Sequence, residues 1–303
     1  MNLYSPGKPG RSEFVTLRGL RTHLNVWGTP ALATPQRPPL VLLHGWMDVG
    51  ASFQFMVDAL RDERYIVAPD WRGFGLSDSP QADCYWFPDY LGDLDALIDL
   101  LSPAAPIDLL GHSMGGNVAM MYTGTRPARI RRLANLEGFG VPATPGNQAP
   151  QRLAQWLDEL KAPQGFATYD SAQAVAARLQ KTNPLLAPDK AAWLAQHWAR
   201  PDAQGRWHIL GDAAHKRVNP ALSRTDEILA LWQRITLPVL WVQGDQSNPD
   251  KWWQGRYSRA EFETRLAVVK DVQRCELAPA GHMLHHDQPQ ALAQRLEAFL
   301  NES

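Results

Sequence analysis

The segment Gly111-His112-Ser113-Met114-Gly115 sets a serine between two glycines, and such a serine does chemistry only where the chain turns sharply around it. The flanking residues supply that turn: the apolar run Ile107 to Leu110 precedes it and the helix-compatible stretch Asn117 to Thr125 follows it. A serine at a strand-turn-helix corner projects its hydroxyl above the carboxyl edge of a sheet, and the glycines keep side chains from clashing with neighbouring strands. The hydroxyl becomes a nucleophile when a base takes its proton. Imidazole, which ordinarily titrates near ~6.5, can take that proton and return it to a leaving group. An imidazole base makes kcat/KM rise with pH across the usual histidine range of about pH 6 to 7, and a profile flat from about pH 5 to 8 contradicts it. The developing oxyanion needs N–H donors. The Met114 amide, at a helix N-terminus, is one candidate; the Trp46 amide, in the turn Leu43-His44-Gly45-Trp46 after the apolar run Leu40 to Leu43, is the second. His44 itself reads as structural.

Positioning such a serine requires a sheet. Short β-rich runs occur at Glu13 to Leu17, Thr22 to Trp27, Leu40 to Leu43, Tyr65 to Ala68 and Ile107 to Leu110. The last three are continuous apolar runs, the pattern of parallel strands covered on both faces. Between them, Leu91, Leu94, Leu97, Ile98 and Leu101 share one helical face. A sixth strand, Arg132 to Leu136, ends at Glu137, and the next strand of that character, Leu237 to Val242, begins a hundred residues later. Connections between strand and helix in α/β units run about 2 to 6 residues, so this gap must hold an inserted subdomain. Its stripes are helical: Leu153, Trp156, Leu157 and Leu160; Trp193, Leu194, His197 and Trp198; Ile228, Leu231, Trp232 and Ile235. The chain therefore divides into a core at 1–137, a helical cap at 138–236 and a second core part at 237–303, closed by Cys275 to Leu277 and a helix over Pro289 to Leu300. The cap tryptophans Trp156, Trp193, Trp198, Trp207 and Trp232 read mainly as packing residues, and the polar patch Asp212 to Lys216 has no assigned role.

Composition narrows the function classes. With 45% apolar and 20% charged residues and no apolar run near the ~18 residues of a membrane span, the expectation is a soluble protein without a membrane partner. A net charge of -1 with no basic run argues against nucleic acid. The polar, Pro/Gly-rich stretch Met1 to Arg11 shows no secretory signal, so a cytoplasmic location is expected. Cys84 and Cys275 suit neither a disulfide framework nor a metal site. No cofactor and no metal are expected, and the partner is a small molecule; oligomeric state is left open.

Taken together, His44-Gly45-Trp46, the segment Asp70-Trp71-Arg72-Gly73-Phe74-Gly75-Leu76-Ser77-Asp78, the serine corner and Gly281-His282 resemble the α/β-hydrolase family with a helical cap, over nearly the whole chain. The strand-three loop also resembles that of the serine-hydrolase-like proteins. The resemblance implies an α/β-hydrolase fold, a mostly parallel sheet flanked by helices, and a Ser-His-acid mechanism. It implies that the base lies in the terminal histidine loop, at His282, with His285 and His286 as competitors in cap-facing or surface positions, and that Asp70 to Asp78 is a structural turn. Relatives usually carry the acid as Gly-x-x-Asp after the seventh strand, but here the segment is Gly244-Asp245-Gln246-Ser247, with an uncharged serine in the slot. Glu137 stands where the haloalkane dehalogenase branch places its acid. Glu137 is therefore the first choice, and Asp245 and then Asp250 remain alternatives.

The expected reaction is acyl transfer to water from a small apolar ester, through Ser113, His282 and Glu137 with the Trp46 and Met114 amides. The fold leaves amide, lactone, thioester and carbon-carbon bond hydrolysis open. Dehalogenase and epoxide hydrolase chemistry is disfavoured, because those branches use an aspartate where Ser113 stands. A weakly catalytic or non-catalytic small-molecule binding protein, and a cofactor-free peroxidase, are the alternatives.

Overall fold

The computed structural model describes residues 3–162 and 165–302. Their main sheet has eight strands: β1 (Arg11–Leu17), β2 (Leu20–Trp27), β3 (Leu40–Leu43), β4 (Ile66–Pro69), β5 (Ile107–His112), β6 (Ile130–Leu136), β7 (Val239–Gly244) and β8 (Val272–Leu277), ordered β1-β2-β4-β3-β5-β6-β7-β8. Strands β1 and β2 form an antiparallel hairpin, and β2 pairs antiparallel with β4. Every later pairing is parallel. The hairpin turns at Arg18 and Gly19, both at positive φ, the backbone that matches the twist of two paired strands.

The apolar runs are buried on both faces. In β3, Leu40 and Leu42 point into one core and Val41 and Leu43 into the other, the two-residue period of a strand covered on both sides. On one side lie α2 (Phe87–Leu101) and α3 (Met114–Thr125), whose Leu94, Leu97, Ile98, Val118 and Met120 join Val41, Leu43, Leu109 and Leu133. On the other, α1 (Gln54–Ala59) and the closing helix Pro289–Leu300 bring Met56, Val57, Leu292, Leu296 and Phe299 against Leu40, Leu42, Leu110 and Leu240. At about 1.5 to 3 kcal/mol per fully buried large apolar side chain, these two layers fix the sheet that carries the serine corner.

Between β6 and β7 the chain forms α4 (Ala149–Lys161), α5 (Ala172–Thr182), α6 (Pro188–Trp198), α7 (Thr225–Trp232) and a small antiparallel sheet of Thr168–Tyr169, Trp207–Ile209 and Ala199–Pro201. Helices α5 and α6 pack through Val175, Leu179, Ala191 and Leu194, and Phe55 of α1 joins them. The stripe read on α4 behaves differently: the helix buries none of its residues, and Leu153 and Leu157 are about half exposed, at 46% and 49%. Trp156 and Leu160 of the same stripe are partly buried, so its apolar face is covered only in part. Of the inserted tryptophans only Trp232 is buried; Trp156, Trp193, Trp198 and Trp207 are partly exposed.

The patch Asp212 to Lys216 fastens the insertion to the loop after β4. The Asp212 amide donates to the Gly73 carbonyl, its carboxylate accepts from the hydroxyls of Ser79 and Tyr85, and His215 is stacked between Phe74 and Tyr85. No described helix is long and apolar enough to cross a membrane.

Candidate active site

Ser113 sits between β5 and α3 at φ 52° and ψ -115°, outside the regions that L-residues ordinarily occupy. The corner exists because the chain around it has no room for side chains. A Cβ on Gly111 would lie 2.3 Å from the Gly115 carbonyl oxygen, and one on Gly115 would lie 2.2 Å from that of Leu43. The Ser113 amide donates to the Leu136 carbonyl at 2.8 Å, tying the corner to the end of β6.

The His282 side chain, one-third exposed, places Nε2 2.9 Å from Ser113 Oγ and Nδ1 2.7 Å from Glu137 Oε2. A carboxylate only accepts, so Nδ1 carries the proton and Nε2 is left as the acceptor facing the serine. Glu137, the residue after β6, also has positive φ and is 1% exposed. A buried carboxylate must be matched by donors. Beyond His282, the Gly244 amide donates to Oε1 at 2.7 Å and the Ser247 hydroxyl donates to Oε2 at 2.8 Å. Ser247, which looked from sequence like a vacant acid slot, thus supports the carboxylate that lies on the neighbouring strand. No spacing pattern announces such a hydroxyl; only the pairing of β6 beside β7 brings the two loops together.

The alternative acids lie elsewhere. Asp245 is exposed and its Oδ1 accepts from the Ala280 amide, while exposed Asp250 accepts from the Arg259 amide. Neither bonds to His282. His285 and His286, expected toward the cap or surface, are buried at 0% and 4%; the Ser52 hydroxyl meets His286 Nε2 at 2.7 Å. Their burial follows from α10 (Leu284–Asp287), a single turn packed against α1, the turn Gly50–Phe53 and the closing helix, α11, with α8 (Pro249–Trp252) and α9 (Arg259–Leu266) lying earlier in the chain.

The turn His44-Gly45-Trp46 abuts the serine, since a Cβ on Gly45 would lie 3.2 Å from Ser113 Cβ. Met114 opens α3, and a first-turn amide has no partner within its own helix. His44 is fully buried, accepts at Nε2 from the Trp71 amide at 2.9 Å and meets its neighbour's carbonyl through Nδ1, a structural arrangement. Trp46 and Trp252 leave 51% and 41% of their surface exposed, and the Trp252 ring stands edge-on to His282 at 4.6 Å between centroids. Trp252 was not singled out from sequence, where an aromatic in a Pro/Asp/Lys-rich turn carries no signal.

The loop after β4 is held by Asp70. Its carboxylate, 2% exposed, accepts from the Gly50 and Leu76 amides at 2.7 and 2.9 Å and pairs with His23 Nδ1 at 2.8 Å. Burial alone would raise its pKa, but the hydrogen bond and charge of His23, the charge of His44 and the Leu76 amide together outweigh burial and hold it below the ordinary carboxylate value. A depressed carboxylate pKa contributes stability that is present above the unfolded value, about 3.9, and lost as pH falls through the folded one. Asp70→Asn is expected to cost about 2 to 4 kcal/mol at pH 7 and to flatten the fall of Tm with acid below about pH 4, measured by thermal melts across pH.

Residues 38–289 match the model of the family described as alpha/beta hydrolase fold. The chain is 28% identical to a serine hydrolase-like protein of Danio rerio over 86% of this chain and 81% of that one. It is 32% identical to a cis-3-alkyl-4-alkyloxetan-2-one decarboxylase of Shewanella oneidensis, over 49% of this chain and only 45% of the relative's length. Among solved structures, the thioesterase domain from the curacin biosynthetic pathway superposes with a TM-score of 0.80 at 25% identity, covering 95% of this chain and 99% of that domain.

Proposed function

Because the chain belongs to the alpha/beta hydrolase fold family, a family whose relatives include hydrolases, we propose that it is a serine hydrolase cleaving a small apolar ester through an acyl-enzyme on Ser113. The observation that carries this reading is the unbroken chain Ser113 Oγ, His282 Nε2, His282 Nδ1, Glu137 Oε2, with separations of 2.9 and 2.7 Å. In the proposed reaction His282 takes the hydroxyl proton as Ser113 Oγ bonds to the ester carbonyl carbon. The Trp46 and Met114 amides receive the oxyanion. Collapse of the tetrahedral species expels the alcohol, protonated by His282, and leaves Ser113 acylated; a water deprotonated by His282 then releases the acid and restores the serine. Glu137 orients His282 and balances the imidazolium that forms twice per cycle.

The inserted segment, read as a cap over the site, would offer an apolar surface to the acyl group, with Trp46 and Trp252 at the rim. The thioesterase-domain likeness makes thioesters the second substrate class to test beside oxygen esters. Stopped-flow hydrolysis of p-nitrophenyl esters of rising chain length tests the reading. The expected result is a burst of one p-nitrophenol per chain, with kcat/KM greatest for short acyl groups. Absence of both burst and turnover across the series would favour a binding role.

A further inference from the structure

Beneath Ser113, three buried side chains face one another with ligand atoms that bond to nothing. Asp48 follows the turn after β3, His112 ends β5 and immediately precedes the nucleophile, and His285 lies in α10. They are 3%, 1% and 0% exposed. Asp48 Oδ2, His112 Nδ1 and both ring nitrogens of His285 have no hydrogen-bond partner among the described residues. His285 Nε2 and Asp48 Oδ2 are 3.9 Å apart, too far for a hydrogen bond. A buried polar atom left unpaired is costly, and several converging on one point indicate a shared partner.

The atoms of these residues that do bond fix the direction of those that do not. Asp48 Oδ1 accepts from Trp198 Nε1 at 3.0 Å, which leaves Oδ2 for the cluster. His112 Nε2 lies 2.8 Å from the His282 carbonyl oxygen. A carbonyl only accepts, so Nε2 carries the proton, and Nδ1 presents a lone pair to Asp48 and His285. An imidazole that lends one nitrogen to an ion and donates the other N–H to a backbone carbonyl is the arrangement that orients a metal ligand. The three residues offer one ligand atom each, all within 4.8 Å of one another. Ligand atoms about 2.1 Å from one tetrahedral ion stand about 3.4 Å apart, so closing the cluster from separations of up to 4.8 Å requires pairs of side chains to approach by at most about 1.4 Å. Two imidazole nitrogens and one carboxylate oxygen suit a first-row divalent ion such as zinc or cobalt rather than magnesium or calcium.

We propose that Asp48, His112 and His285 form a buried site for a divalent transition-metal ion of the zinc class. The site is structural: it binds the β3 turn, the residue before Ser113 and the turn after His282, and through His112 it steadies the His282 carbonyl. It does not depend on Ser113 being the nucleophile.

The test uses the full chain, freed of metal with a chelator and offered Co2+ or Zn2+ both in the native state and during refolding, since the cluster is closed to solvent. The expected result is a visible Co2+ d–d band saturating at one ion per chain, bleached by Zn2+, and a Tm higher by roughly 5 °C when free Zn2+ is about 100 times its Kd. The band disappears in Asp48→Asn and His285→Gln and persists in His208→Gln, which alters an exposed histidine paired with Asp202. X-ray absorption of the zinc-loaded wild type should show two imidazole ligands, a readout that stands if either buried variant fails to fold. No band and no Tm shift by either route, a band that survives in both buried variants, or absorption without two imidazoles overturns the proposal.

Discussion

Ser113→Ala is expected to lower kcat by about 10^6, the loss that follows when the nucleophile of a serine-histidine unit is removed. The fold should survive, because the corner is built by Gly111, Gly115 and the Ser113 amide bond to Leu136, none of which needs the hydroxyl. His282→Ala should cost nearly as much, and the double variant scarcely more than either single one, because a nucleophile without its base and a base without its nucleophile are equally idle. Steady-state kinetics on the three variants, with melts to verify folding, check this. Additive losses, or a Ser113→Ala enzyme within a factor of ten of wild type, would place the chemistry on another residue.

Glu137→Gln carries the second large effect, a fall in kcat of about 10^4 with KM little changed. Glutamine keeps the shape but offers one acceptor oxygen where three donors converge: His282 Nδ1, the Gly244 amide and the Ser247 hydroxyl. If its amide group turns to His282, that N–H must be met by an unprotonated Nδ1. The proton then moves to Nε2, and the ring can no longer accept from Ser113. Asp245→Asn should stay within a few-fold of wild type, since its carboxylate holds only the Ala280 amide. The two variants assayed together separate the acids; loss on Asp245→Asn with Glu137→Gln active would reverse the assignment.

The serine corner was legible because its constraint is local. Strand, turn and helix occupy one stretch, and the glycine spacing marks the turn even though the obstacle that Gly115 meets, the Leu43 carbonyl, lies on β3. The continuous apolar runs announced a sheet covered on both faces for a similar reason, each strand carrying its own period. The pairing of Glu137 with His282 was legible only through family resemblance, since Glu137 follows β6 and His282 lies beyond β8. What stayed hidden depended on which surfaces meet. Ser247 read as an absence because its hydroxyl acquires meaning only beside Glu137. The stripe on α4 reported an apolar face truthfully, but periodicity does not say whether a layer covers that face, and here Leu153 and Leu157 remain half exposed. His285 and His286 read as outward residues through the family resemblance, whereas α10 turns both inward.

The proposed chemistry requires Ser113 to be an activated nucleophile, and covalent capture tests that most directly. Incubation of the full chain with a fluorophosphonate, followed by intact and peptide mass spectrometry, should give one adduct per chain, on the peptide carrying Ser113. The adduct should be absent from Ser113→Ala and strongly slowed in Glu137→Gln. A wild-type chain that stays unlabelled at Ser113, or a Ser113→Ala chain that labels equally well, would contradict it.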